Sequence, residues 1–175
     1  MSSSLATKPM ASEYADYYGK YVSLVPETDI VASLTEEGAR TVELLRGLTE
    51  LQGNYAYGEG KWSIKELVGH MNDTERIFSY RLLRFARADT TALEGFDQDP
   101  YVASANFNGL TLTAITDEFA AIRQSTLCLL KNLGAAAWAR QGIASDNPVS
   151  VRALAYIIAG HERHHAGILR ERYLA

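Results

Sequence analysis

The stretch Ser63-Ile-Lys-Glu-Leu-Val-Gly-His-Met-Asn-Asp-Thr-Glu-Arg-Ile-Phe-Ser-Tyr-Arg-Leu-Leu-Arg-Phe85 reads as a helix from its first residue. Ser63 and Glu66 form a capping box, in which the serine oxygen accepts from the amide three residues on and the glutamate reaches back to the serine amide. Behind it Leu67, Met71, Thr74, Phe78, Leu82 and Phe85 recur at steps of 4, 3, 4, 4 and 3, the spacing of one helical face turned to a core. Arg84 and Arg87 stand where cations complement the end of the helix dipole, and the helix is expected to stop near Asp89.

Working outward, three more segments carry the same period. On the N-terminal side Thr28 or Asp29 can cap a helix running to about Leu51, with Ile30, Leu34, Leu45 and Leu48 near one face, after a break at Pro26. The connection between Gln52 and Trp62 holds three glycines. On the C-terminal side residues 112–132 place Leu112, Ile115, Phe119, Ile122, Thr126, Leu129 and Leu133 in alternating steps, with Gly134 as a stop. Ser150 caps a last helix from Val151 to about Tyr173, after a short piece at 135–140 and a polar turn ending in Pro148. Residues 90–110 lack a clear period and are expected to form a loop with short helical pieces. No strand pattern competes, so the fold class is all-α, a four-helix bundle.

The 175 residues suit one domain, expected over 12–175 after a polar, disordered tail at 1–11. Hydrophobic residues at 47% and charged residues at 22% exclude a disordered chain, and no apolar run is long enough to span a bilayer. The start lacks a basic segment followed by an apolar one, so a cytoplasmic product is expected. Seventeen basic against twenty-one acidic residues, with no Lys/Arg block, argue against nucleic acid as a partner. Cys128, the single cysteine, falls in a helical pattern and reads as a small buried apolar residue. Tyr14, Tyr17, Tyr18 and Tyr21 share one face of a short helix or turn, expected to pack across the bundle.

The four histidines carry the chemistry. In the last helix the inward stripe contains Leu154, Ile158, His161, His165 and Ile168, which puts two imidazoles one turn apart, with Cβ atoms roughly 5 to 6 Å from each other. His164 stands beside the stripe as a flanking residue. A core histidine is ordinarily a packed, hydrogen-bonded residue; two in one stripe leave two acceptors to satisfy, and one metal ion satisfies both. His70 lies between Leu67 and Thr74 on the second helix and can face the same interior, although its spacing alone does not fix its direction. Three neutral nitrogen ligands would leave positions open for water or substrate, as in a reactive divalent site. Asp73 and Glu162 are candidate carboxylates for orienting an imidazole or acting as a base, a solvated surface position being the alternative for each.

Several stretches together resemble the DinB-like superfamily: Lys61-Trp-Ser-Ile-Lys-Glu-Leu-Val-Gly-His70, Tyr80-Arg-Leu-Leu-Arg-Phe-Ala-Arg87, Gly95-Phe-Asp-Gln-Asp-Pro-Tyr101 and Val151-Arg-Ala-Leu-Ala-Tyr-Ile-Ile-Ala-Gly-His-Glu-Arg-His-His165. The resemblance implies an up-down-down-up bundle and a metal triad of one histidine in the second helix and an H-x-x-x-H pair in the fourth, which fall on His70, His161 and His165. It implies no kinship with the DNA polymerase that shares the label. Family members include S-transferases of bacillithiol, mycothiol or glutathione, maleylpyruvate isomerases, and proteins described as metal-dependent hydrolases of unknown substrate. The expected activity is therefore that of a metal-dependent hydrolase or thiol S-transferase acting on a small molecule. A zinc, nickel, iron or manganese ion and a low-molecular-weight thiol are the implied cofactors. The family suggests a homodimer, and the tyrosine-rich segment could dock on the neighbouring chain. A non-catalytic module that binds a metal or small ligand in a stress response is the alternative. The long loop could cover the pocket through Phe96, Asp97, Asp99, Tyr101 and Asn106, with Arg81 and Arg84 holding an anionic group.

Overall fold

The computed structural model describes residues 7–175. In chain order its helices are α1 (Gly19–Val22), α2 (Ile30–Arg46), α3 (Glu50–Gly53), α4 (Ile64–Ala86), α5 (Gln98–Ala105), α6 (Leu112–Lys131) and α7 (Val151–Ile168), joined by one hairpin of β1 (Gln141–Ala144) and β2 (Asn147–Ser150). Each long helix starts on a side-chain cap that takes one of its otherwise unpaired amides. Asp29 accepts from Ala32 at 3.0 Å, Ser63 from Glu66 at 3.1 Å, Thr111 from Ala114 at 3.1 Å and Ser150 from Ala153 at 3.0 Å. Glu66 completes the capping box on the Ser63 amide at 2.7 Å.

Two apolar clusters fix the direction of the helices. One gathers Ile30 and Leu34 of α2, Leu82 and Phe85 of α4, Leu127 and Leu130 of α6 and Val151 and Leu154 of α7. The other gathers Leu45, Ile64, Leu67, Leu112, Ile115 and Leu169. The start of α2 thus meets the ends of α4 and α6 and the start of α7, so α4 and α6 run one way and α2 and α7 the other, an up-down-down-up four-helix bundle. Around the ring α2 and α4 each pack on both α6 and α7, which makes α4 and α6 parallel neighbours.

That parallel pair dictates the course of the long connection. α4 has 23 residues and is about 35 Å long, so the chain after it must return over that length before α6 can begin. The return carries α5 and a 3-10 turn at Phe107–Gly109 along the outside of the bundle. It is pinned where Phe107 covers Gly69; a Cβ there would lie 2.5 Å from the phenyl ring. The loop expected over 90–110 therefore contains real helix, and its path follows from topology.

Other expectations shift locally. The first long helix stops at Arg46, because Gly47 weakens it and Thr49 opens α3 with its own capping box, accepting from Gln52 at 3.2 Å. The polar turn before the last helix is a hairpin whose two tip residues, Ser145 and Asp146, have φ of 52° and 62°. Its four-residue strands are too short to show a period. Cys128 is exposed, on the outer face of α6, so the buried reading was wrong. Positions 1–6 of the expected tail lie outside the described residues. From Thr7 onward the chain is seated: Arg152 donates to Thr7 at 2.9 Å, and Glu13, 2% exposed, is clamped by Arg152 at 2.6 Å and accepts from Ser150 at 2.7 Å. Among the described residues no helix is long and apolar enough to cross a membrane.

Candidate metal centre

Between the two apolar clusters the core turns polar across all four long helices. Thr41 of α2, His70 and Glu75 of α4, Arg123 of α6, and His161, Glu162 and His165 of α7 are all buried there. The waist has two halves, and a small cavity of about 10 Å³ between them is lined by Thr74, Glu75, His161 and Glu162.

In the first half three imidazoles converge. His70 Nε2 and His165 Nε2 each lie 3.1 Å from His161 Nε2, and one nitrogen from each ring falls within 4.8 Å of the others. Two ligands at about 2.0–2.1 Å from one ion, at tetrahedral to octahedral angles, stand about 2.9–3.4 Å apart, so the observed spacing fits a shared cation. Hydrogen bonding alone fits poorly, because one lone pair or one proton on His161 Nε2 would have to serve two partners. His70 Nδ1 faces the Thr74 hydroxyl at 3.4 Å, and His165 Nδ1 is buried with no protein partner. Burial drives the imidazoles toward the neutral, ligating form: His70 is held down to about 4, His165 to about 3 with help from His70 and His164, and His161 well below its ordinary range.

Two features of the backbone let the rings meet. Gly160 precedes His161 and takes the backbone of α1, with the Tyr21 carbonyl oxygen 2.0 Å from where a Cβ would be. That approach sets the Tyr21 ring edge-on to His161 at 5.3 Å. Gly69 precedes His70 and admits Phe107, while Trp62 stacks at a tilt on the His70 ring at 5.0 Å.

The centre opens into two clefts. One, of about 380 Å³, reaches His70 and His161 between Tyr17, Tyr18, Tyr21, Thr74, Phe78 and Phe96, with Asp97, Gln98 and Asp99 at its edge. The other, of about 280 Å³, reaches His165 between Tyr57, Lys61, Trp62, Leu67, Ile168 and Tyr173, and Asp99 lines it too. The tyrosines of the N-terminal segment thus do more than pack: they wall the first cleft, with Tyr17 62% exposed at the rim. Asp97 caps α5 by accepting from the Asp99 amide at 3.1 Å.

The second half of the waist is closed. Arg123 grips Glu75 through two bonds of 2.9 and 2.7 Å and donates to Glu162 at 2.6 Å and to the Leu34 carbonyl at 3.0 Å, while Thr41 donates to Glu162 at 2.7 Å. Burial pushes the Glu162 carboxyl up, against the pull of Arg123 and Thr41.

The candidate residues divide accordingly. His70, His161 and His165 come together, and His164 flanks them against Tyr21 at 5.5 Å. Glu162 is neither a surface acid nor turned to the imidazoles, being tied to Arg123. Asp73 lies 3.9 Å from Arg76, which reaches Glu118 of α6 at 2.7 Å, and lines neither cleft. Arg81 donates to the Glu94 carbonyl at 2.7 Å and to Ser145 at 3.1 Å and lies over the Phe78 and Phe96 rings of the first cleft at 5.6 and 5.9 Å, while Arg84 pairs with Asp89 and Tyr80. Asn106 serves as the left-handed end of α5. Three residues escaped the sequence reading: Glu75 and Arg123, charged side chains beside apolar stripe positions, and Thr74, read there as part of the core face although it is one turn from His70. A charge next to a stripe position was the available signal for the first two.

A search of curated proteins finds no match. Several solved structures share the fold, two of them as follows. One is YfiT from Bacillus subtilis, described as a probable metal-dependent hydrolase with an unusual four-helix bundle topology, at 16% identity and a TM-score of 0.72 over 94% of this chain and 93% of that one. The other is a mycothiol-dependent maleylpyruvate isomerase, at 11% identity and a TM-score of 0.68 over 83% of this chain and 61% of that one. The model of the DinB superfamily matches residues 33–169, which take in all three imidazoles and every long helix but the first turn of α2, and the chain belongs to that family.

Proposed function

We propose that the protein is a metal-dependent enzyme in which His70, His161 and His165 hold a divalent ion and a small electrophilic molecule is attacked by water or by a low-molecular-weight thiol. The observation that carries this reading is the convergence of three buried Nε2 atoms on one point, two pairs of them 3.1 Å apart. Zinc, nickel, iron and manganese all accept imidazole donors. When bound, such an ion lowers the pKa of a coordinated water or thiol and polarises a substrate oxygen.

The chain's own groups supply the rest. With Nε2 given to the ion, His70 Nδ1 would carry the proton and face the Thr74 hydroxyl oxygen at 3.4 Å as its acceptor, a contact that favours the tautomer whose Nε2 lone pair points inward. The rings of Tyr18, Tyr21, Phe78 and Phe96 narrow the first cleft and limit bulk water near the imidazoles. Asp99, at the edge of both clefts, takes the place expected for Asp73 or Glu162 as the carboxylate able to accept a proton from the attacking group.

Elemental analysis of protein purified without an affinity tag should find about one divalent ion per chain, and His161→Ala should lose it. Metal content unchanged in that variant would overturn the assignment. With the ion present, the protein should turn over either activated esters or an electrophile plus thiol. Metal retention without either reaction would assign the centre to ligand capture.

A further inference from the structure

The chain before the first long helix is stapled to α7 by two arginines. Near the start of α7, Arg152 holds the Glu13 carboxylate through two bonds of 2.6 Å and reaches Thr7 at 2.9 Å, and Ser150, the cap of the helix, donates to the same carboxylate at 2.7 Å. About three turns further along, Arg163 donates to the Leu24 carbonyl at 2.8 Å and to Glu27 at 2.9 and 2.8 Å. Burial works against a charge on Glu13, but Arg152, the Met10 amide and Ser150 hold its carboxyl below the ordinary range.

The two parts of this segment are gripped differently. In the second part Tyr21, Val22 and Val25 are buried, and α1 sits on Gly160. From Met10 to Tyr18, by contrast, Glu13 alone is buried, Ala11, Ser12, Asp16 and Tyr17 are exposed, and the backbone bonds are local: the Glu13 amide donates to the Met10 carbonyl at 2.9 Å and the Tyr18 amide to the Ala15 carbonyl at 2.8 Å. Gly19, with open space where a Cβ would stand, joins the two parts. A stretch with few buried apolar contacts opens at low cost in free energy, so its closure depends on the bonds that pin it. Here the pin is one carboxylate. The same stretch carries Tyr17 and Tyr18, two walls of the first cleft, with Tyr18 edge-on to Phe78 at 6.0 Å.

We propose that residues 10–18 are a flap over the first cleft, latched by Glu13 into the start of α7, and that releasing the latch uncovers His70 and His161 while Tyr21 stays in place. Access to the imidazoles is then set by a residue outside the lining of the cleft. The opening itself needs no metal; only its part in admitting a substrate rests on the function proposed above.

Hydrogen exchange read by mass spectrometry on the full-length chain, stripped of metal with a chelator, tests the latch. In Glu13→Gln, which keeps the shape and removes the charge, the amides of residues 10–18 should exchange about tenfold faster, and diethyl pyrocarbonate should modify His70 about tenfold faster, because hydrogen bonds between charged groups are lost. Amides of α4 and of residues 21–25 should keep their parent rates. Glu27→Gln, in the other clamp, should change neither the exchange at 10–18 nor the reactivity of His70. Unchanged exchange at 10–18 or unchanged His70 reactivity in Glu13→Gln, faster exchange throughout the chain, or the same opening in Glu27→Gln would each overturn the proposal. Because these readings use metal-free protein, they are independent of whether His161→Ala changes metal content.

Discussion

His161 and Glu162 are consecutive in the chain and equally hidden from solvent, yet they belong to opposite halves of the waist. On the Glu162 side every charged group has a partner of opposite charge, the bonds are 2.6 to 3.0 Å long, and Thr41 and the Leu34 carbonyl take up further capacity. On the His161 side three ring nitrogens face one another, one further ring nitrogen has no protein partner, and two clefts lead in. Both halves are buried polar groups, and only one is complete. A buried polar group left unsatisfied by its own chain costs stability, so its persistence points to something from outside that completes it.

Breaking the closed half should have the largest effect. Arg123→Met leaves Glu75 and Glu162 buried without a counter-charge and should cost about 3–5 kcal/mol of stability, measured as a drop in the denaturant midpoint. If the cost were below about 1 kcal/mol, the two halves would not differ in the way described.

The open half should respond to pH instead. Burial keeps the folded imidazoles neutral, His70 down to about 4 and His165 to about 3 against an unfolded value of 6.5. Between those values the unfolded chain binds more protons than the folded one. In metal-free protein this stability is fully present above pH 6.5 and is lost as pH falls toward the folded values, about 2 kcal/mol for each of the two histidines by about pH 5. Denaturation curves in excess divalent metal should shift the loss to lower pH; a flat profile in metal-free protein would show the imidazoles to be better solvated than their burial indicates.

The smallest effect separates a group that orients a ligand from one that only lies near in sequence. Thr74→Val removes the acceptor for His70 Nδ1–H and should weaken metal binding about tenfold, read by competition with a chromophoric chelator. Asp73→Asn, on the α6 side of α4, should leave metal affinity unchanged. Equal losses in both would mean that the effect travels through α4 and not through the Thr74 contact.

Much of this was legible before folding. The capping serines, Ser63 and Ser150, are where the helices begin, and the stripe of Leu154, Ile158, His161 and His165 is buried as its spacing implied. The errors have physical reasons. Cys128 lies one residue off the stripe of α6, and a helix face is decided by what packs on it. Glu162 was placed outside the core because a helix is assumed to have one buried face, but residues Val151 to Glu162 of α7 are buried nearly all round, with α1, α2 and α4 against it.

The sequence by itself determined the four helices, their capped starts, and the pairing of His161 with His165, since caps and a 3.6-residue period act within a few turns. Only the tertiary structure decided that His70 joins the pair, that Glu162 pairs with Arg123 while Asp73 faces α6, and that residues 96–99 border the centre. Those outcomes depend on which helices are neighbours and in which direction they run. The parallel packing of α4 beside α6 forces the chain to return along the bundle, and that return brings Asp99 to the mouth of both clefts.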